Sequence, residues 1–272
     1  MPRSIIPVNG TNLFVEDSAQ PNLPVMLCLH SLFLDSRMFE GLAAFFAGQY
    51  RVVRPEFRGQ GRSDLDDVPV ITMDQCAEDI LALIEKLELT NIHLIVQSMG
   101  GDVGVRMITA RPELFTTLTM LGSSVQEEDR AKIERLRAWV QRAGDMGFIN
   151  KALDETMEIM LGATTRSDPG KAALVALWQD RISAVPRRLL PAMKGVIERE
   201  DALNLLERIS IPALLINGEE DIQRPPEWAR ECAERLKDAE VFIVEKAGHS
   251  PLLEVPEVVL PKVRDFLQSH RS

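Results

Sequence analysis

At 272 residues, with 45% hydrophobic and 26% charged residues and a net charge of −10, the chain has the composition of an ordinary soluble globular protein. It is long enough to bury a large core, either in one α/β domain with an insertion or in two domains. The acidic balance argues against a general nucleic-acid or anionic-membrane binder, because both need basic surface.

The three cysteines, Cys28, Cys76 and Cys232, lie far apart without CxxC spacing. They fit reduced packing residues better than a disulfide framework or a zinc site. No basic segment followed by an apolar run precedes Ile5, and no apolar stretch reaches membrane-spanning length. The expected location is therefore the cytoplasm, with neither membrane nor nucleic acid as partner. A homo-oligomer is compatible with the sequence, which sets no oligomeric state.

In chain order, Ser4 to Val8 and Asn12 to Glu16 read as β-runs joined by an Asn9-Gly10 hairpin turn. Val25 to Leu29 is apolar on both faces, as a buried parallel strand requires, and ends at His30. Ser36 is placed to cap a helix carrying Met38, Phe39, Leu42, Phe45 and Phe46. Tyr50 to Pro55 gives another strand, followed by the glycine-punctuated loop Arg58 to Ser63. Helical spacing of Cys76, Ile80, Leu83, Ile84 and Leu87 marks Met73 to Leu87, with Asp79 and Glu85 expected outward. Leu94 to Val96 is a strand, and Met99-Gly100-Gly101 opens a helix with Val103, Met107 and Ala110 on one face. Strand and helix alternate, which points to a largely parallel sheet covered on both sides.

After the strand Phe115 to Leu121 the alternation breaks, and 125–204 shows helical patterns alone, in the manner of a lid over strand ends. The sheet resumes with Ile211 to Asn217 and Glu240 to Glu245, with helices near Pro226 to Lys237 and Pro256 to Leu267.

Ser98 stands at a sharp strand-to-helix turn, where its Oγ clears the backbone and the next N–H shares the same space. A neutral serine needs a base, and the base needs an orienting partner. Histidine suits the base because its pKa lies near working pH. Among four histidines, His93 opens the strand leading to Ser98 and should lie at its far end, and His270 sits in the C-terminal tail. His30 ends a core strand and remains an alternative, whereas His249 follows a strand between Gly248 and Ser250, where functional residues of parallel sheets gather. For the carboxylate, Asp221 follows the strand ending at Asn217, with Glu219 and Glu220 as near alternatives. Glu127, Glu128 and Asp129 form a second location, read as a solvated cluster where the helical insertion begins.

The order Ser98, Asp221, His249 resembles that of the α/β-hydrolase fold over nearly the whole chain. Leu29-His30-Ser31-Leu32 is similar to that family's oxyanion loop, Arg58 to Ser63 to its RGxGxS loop, and Gly218 to Asp221 and Gly248-His249 to its acid and base turns. The helical insertion most resembles 3-oxoadipate enol-lactonases and related carboxylesterases and perhydrolases. The resemblance implies an α/β-hydrolase fold: a mostly parallel eight-stranded sheet flanked by helices, with a core of 1–124 and 205–272 and a helical cap of 125–204 after the sixth strand.

It further implies ester or lactone hydrolysis through an acyl-enzyme, without metal or organic cofactor. Ser98 would be the nucleophile, His249 the base, Asp221 the orienting acid, and the N–H groups of Leu32 and Met99 the oxyanion hole. Ser31, Trp139, Phe148, Met160 and Trp178 are the candidate pocket residues. Arg37, Arg62 and Arg106, near the sheet rim, could meet a substrate carboxylate. Perhydrolysis and C–C bond hydrolysis use the same triad, and a slow ligand receptor on this fold is the alternative of another class.

The chain departs from the family pattern in three places. Val96 replaces the first glycine of Gly-x-Ser-x-Gly, which leaves less room where strand meets helix. His30-Ser31 replaces His-Gly, and Glu56 replaces the usual aspartate before the RGxGxS loop, a change read as structural.

Overall fold

Eight strands build one sheet in the order β1-β2-β4-β3-β5-β6-β7-β8. They are β1 (Arg3–Val8), β2 (Thr11–Asp17), β3 (Val25–Leu29), β4 (Arg51–Pro55), β5 (Ile92–Gln97), β6 (Phe115–Leu121), β7 (Ala213–Gly218) and β8 (Ala239–Val244). The computed structural model describes residues 1–64 and 68–270. β1 and β2 form the antiparallel hairpin, turning at Asn9 and Gly10, both with positive φ. β2 also meets β4 antiparallel, and the remaining pairs are parallel. The inner strands β3, β5 and β7 are buried along their whole length, which explains why apolar residues dominate them.

The core helices are α1 (Glu40–Phe45), α2 (Met73–Lys86) and α3 (Met99–Ala110). Helices α4 (Arg130–Met146), α5 (Asn150–Met160), α6 (Ala163–Ser167), α7 (Ala172–Ser183), α8 (Leu190–Ile197) and α9 (Leu203–Leu206) lie between β6 and β7. Helices α10 (Pro226–Arg235), α11 (Pro251–Glu254) and α12 (Pro256–Ser269) complete the chain. Buried side chains of the inserted helices, among them Trp139, Met160 and Trp178, join those of the sheet in one continuous apolar cluster. Among the described residues, no helix is long and apolar enough to cross a membrane.

Two local expectations fail. The cap of the first helical turn is Asp35, whose carboxylate accepts from the Arg37 N–H, while Ser36 is its first residue and turns its hydroxyl to Glu56 at 2.9 Å. Asp79 is buried rather than outward, because Arg58 reaches it with two guanidinium nitrogens. Such bidentate pairing compensates a carboxylate on an apolar helix face. Helical spacing alone cannot reveal a partner that lies in another segment.

Candidate active site

β5 ends at Gln97, and the chain turns so sharply into α3 that Ser98 adopts φ 51°, ψ −115°. This is a strained conformation for a residue with a Cβ, costing about 1–3 kcal/mol. The turn is tied to β6: the Ser98 N–H donates to Leu121 O at 3.1 Å, and the Ser123 hydroxyl donates to Ser98 O at 2.7 Å. Val96, the departure from the glycine pattern, is fully buried. Room for it comes from Gly104 on α3, where an added Cβ would stand 3.1 Å from Val96 Cγ1 and 3.0 Å from Leu94. The space absent at position 96 is thus supplied across the strand–helix interface.

Ser98 Oγ lies 2.8 Å from His249 Nε2, and His249 Nδ1 lies 2.8 Å from Asp221 Oδ2. An ionised carboxylate only accepts, so Nδ1 carries the ring proton, and Nε2 is free to accept from the serine hydroxyl. Asp221 is fixed from its other oxygen, Oδ1, which accepts from the N–H groups of Gln223 at 2.9 Å and Arg224 at 2.8 Å. The His249 turn is fixed by Glu254, which accepts from the Gly248 and Ser250 N–H groups, and by the Gln97 amide on His249 O. Gly122, at φ 48°, lets that carbonyl approach, since an added Cβ would stand 2.2 Å from it.

The other histidines have different work. His30 bridges its loop, with Nδ1 2.8 Å from Ser31 O and Nε2 accepting the Phe57 N–H at 3.0 Å. His93 bonds Thr117 at the far end of β5, and His270 folds back onto Phe266. Leu32 and Met99 flank Ser98, and neither N–H has a hydrogen-bond partner among the described residues. The loop carrying Leu32 passes through Phe33 at φ 68°, a second strained position beside the serine.

A cavity of about 30 Å³ opens at Ser98 and His249. Ser31, Trp139 and Met160 line it, as do Leu136, Ile159, Val196, Gln223, Arg224 and Glu128. Phe148 and Trp178 do not: Phe148 packs edge-on against Phe33, and Trp178 is buried beneath Arg181. The arginines that could have met a carboxylate are paired within the protein, Arg37 with Asp35, Arg62 with Glu56 and Arg106 with Asp102 and Asp74. Glu56 is structural, as expected from its place before the loop.

The larger surprise is Glu128. Instead of a solvated cluster residue it is a buried carboxylate, 2.8 Å from Arg199 Nη1 and 2.7 Å from Arg224 Nη1. Its second oxygen accepts from the Gln223 amide at 3.1 Å. Arg199 Nε in turn stands 3.1 Å from Asp102, on the helix that Ser98 opens. Burial opposes the Glu128 charge, but Arg224 and Arg199 overcome it and hold the carboxyl below its ordinary 4.5. Glu128 stands just before α4 and Arg199 just after α8, so the network joins the α4–α8 segment to both α3 and the Asp221 turn. In the sequence Arg199 and Arg224 carried no signal, because each becomes intelligible only beside a carboxylate distant in the chain.

A family model described as "Alpha/beta hydrolase family" matches residues 26–262. A pimeloyl-(acyl-carrier protein) methyl ester esterase of Neisseria meningitidis is 36% identical over 88% of this chain and 91% of its own length. Among solved structures, a thermophilic esterase from Thermogutta terrifontis superposes with TM-score 0.87 at 26% identity, covering 100% of both chains. The enol-lactonase from Burkholderia xenovorans LB400 superposes with TM-score 0.88 at 23% identity, covering 97% of this chain and 100% of its own.

Proposed function

The chain belongs to the alpha/beta hydrolase family and is an enzyme of its ester-hydrolase kind, and from that premise we propose that it cleaves a carboxylic ester or lactone through an acyl-enzyme on Ser98. The observation that carries this reading is the unbroken chain Ser98, His249, Asp221, at 2.8 Å in both links. His249 removes the hydroxyl proton as Ser98 Oγ bonds the carbonyl carbon, and Asp221 stabilises the imidazolium. The N–H groups of Leu32 and Met99 receive the oxyanion, each worth about 3–4 kcal/mol in the transition state. The C–O bond to the alcohol then breaks, His249 returns the proton to the leaving oxygen, and water repeats the sequence on the acyl-enzyme.

In this reading 125–204 act as a cap that closes over the site and excludes water. Catalysis takes place in the cytoplasm, where the buried thiols of Cys28, Cys76 and Cys232 stay reduced. The intact hydrogen-bonded chain supports turnover over a slow ligand receptor. The test is a fluorophosphonate with a panel of aryl esters and lactones: Ser98 is labelled and at least one substrate turns over. Ser98→Ala abolishes both while its circular dichroism is unchanged, and full esterase activity in that variant would sink the proposal.

A further inference from the structure

The carboxylate of Glu254 is buried, 2% exposed, and is met by backbone N–H groups rather than by a cation. Burying a charge is costly unless hydrogen bonds replace its water, so where those N–H groups come from matters. Oε1 accepts from Gly248 at 2.9 Å and from Ser250 at 3.1 Å, the residues on either side of His249. Oε2 accepts at 2.8 Å from Gly162, among the inserted helices. Only an ionised carboxylate can face N–H donors with both of its terminal atoms, because an amide would turn an NH2 group toward one of them. The residue type therefore suits a link between two segments, not a tie within one.

Those segments are also in backbone contact. A Cβ added at Gly248 would stand 2.3 Å from Gly162 N, and one added at Gly162 would stand 2.7 Å from Gly248 N and from Glu220 Oε2. Only residues without a Cβ allow that approach. The acid turn holds the same stretch: Glu220 accepts the Thr164 N–H at 2.8 Å and the Thr164 hydroxyl, while its own N–H donates to Ala247 O at 2.8 Å. Residues 162–164 are thus seated on the turns of His249 and Asp221 together.

Met160 ends α5 two residues before Gly162 and lines the cavity at Ser98. That cavity, of about 30 Å³, has room for a water molecule or two and none for an ester. Substrate entry must displace part of its wall. A displacement of the Met160 segment is transmitted through Gly162 and Glu254 to the peptides that flank the base.

Building on the ester-hydrolase reading above, we propose that Glu254 is a positioning residue that makes the 2.8 Å contact of His249 with Ser98 depend on a seated cap. With Met160 and Gly162 closed on the bound ester, the carboxylate sets the Gly248 and Ser250 peptides, and His249 stands where it takes the serine proton. With the cap lifted, one carboxylate cannot keep all three N–H groups, and the base turn loses its support. Activation of Ser98 is tied in this way to the closed state.

The test measures kcat and KM on an aryl ester, with the Ser98 that a fluorophosphonate labels to completion as the measure of competent enzyme. In Glu254→Gln, kcat per labelled serine falls about tenfold or more while KM changes less than about threefold, since misplacing a reacting group by about 1 Å can cost roughly 100-fold. Gly162→Ala lies wholly in the cap, wedges it off Gly248 and has the same signature. Because both variants break one link, the double variant falls short of the product of the two effects. Ser167→Ala, exposed at the end of α6, leaves kcat where it was. A merely structural role lowers the labelled fraction or the melting temperature and leaves kcat per labelled serine unchanged. That result in either variant overturns the proposal, as do effects that multiply, or an equal fall in Ser167→Ala. Where Glu254→Gln does not fold, Gly162→Ala decides alone. If the wild type is labelled and turns over ester, such a failure belongs to this inference only. If wild-type Ser98 is unreactive and no ester turns over, the reading beneath it fails too.

Discussion

Asp221 and Glu128 invite comparison, because each is a buried carboxylate just beyond the C-terminal end of a parallel strand, β7 and β6 respectively. Asp221 receives two backbone N–H groups on one oxygen and the histidine ring on the other. Glu128 receives two guanidinium groups and an amide. The first arrangement leaves one oxygen committed to a titratable partner, which is what an orienting acid needs. The second is a permanent ion cluster that joins the ends of the inserted helices to the core. Position after a strand therefore does not assign a carboxylate its role; the partners that the fold brings to it do.

The largest expected effect separates the two. Asp221→Asn removes the carboxylate that fixes the histidine tautomer, so kcat should fall about 10⁴-fold with little change in melting temperature. Glu128→Gln should act mainly on stability, costing about 3–5 kcal/mol, because it leaves buried Arg224 without a counter-ion and Arg199 with Asp102 alone. Denaturant titration measures it. If Glu128→Gln instead cost activity as Asp221→Asn does and left stability intact, the comparison would break.

The same residue makes a pH prediction. Its carboxyl is held below 4.5 in the fold, so the folded state binds fewer protons than the unfolded one. That contribution is fully present above about pH 4.5 and is lost as pH falls through the folded value. The melting-temperature gap between the wild type and Glu128→Gln should accordingly narrow from pH 7 toward pH 3, in scans across that range.

A smaller effect tests the serine turn. Gly104→Ala should destabilise by about 1–3 kcal/mol through overpacking against Val96 and Leu94. Combined with Val96→Gly, its cost should shrink, giving a coupling of at least about 0.5 kcal/mol. Strict additivity in that double-mutant cycle would separate the two positions. The mildest change, Trp139→Ala, should enlarge the cavity and raise relative kcat/KM for bulkier alcohol groups severalfold, read from a series of alkyl esters.

Alternating strands and helices, the apolar runs of β3 and β5, and turns ending in Ser98, Asp221 and His249 were legible in the chain, because local pattern and turn chemistry encode them. Of the four histidines, it is His249, the one that follows a strand in a glycine turn, that the fold brings to 2.8 Å from Ser98. The pocket fared less well: Ser31, Trp139 and Met160 face the cavity, while Phe148 and Trp178 pack elsewhere, since helical spacing marks a buried face without saying what covers it. Asp79 and Glu128 were misread as solvated for a related reason. A charge's burial depends on whether a guanidinium arrives from a distant segment, as Arg58, Arg199 and Arg224 do.

By itself, then, the sequence determined the fold class, the element order and the residues that stand at the strand ends, all of which rest on interactions between near neighbours in the chain. Tertiary structure alone decided the partners of Arg199 and Arg224, the space that Gly104 makes for Val96, and which helical side chains face the cavity at Ser98. Each depends on long-range contacts made after the chain has closed upon itself, where geometry rather than residue type sets the energy.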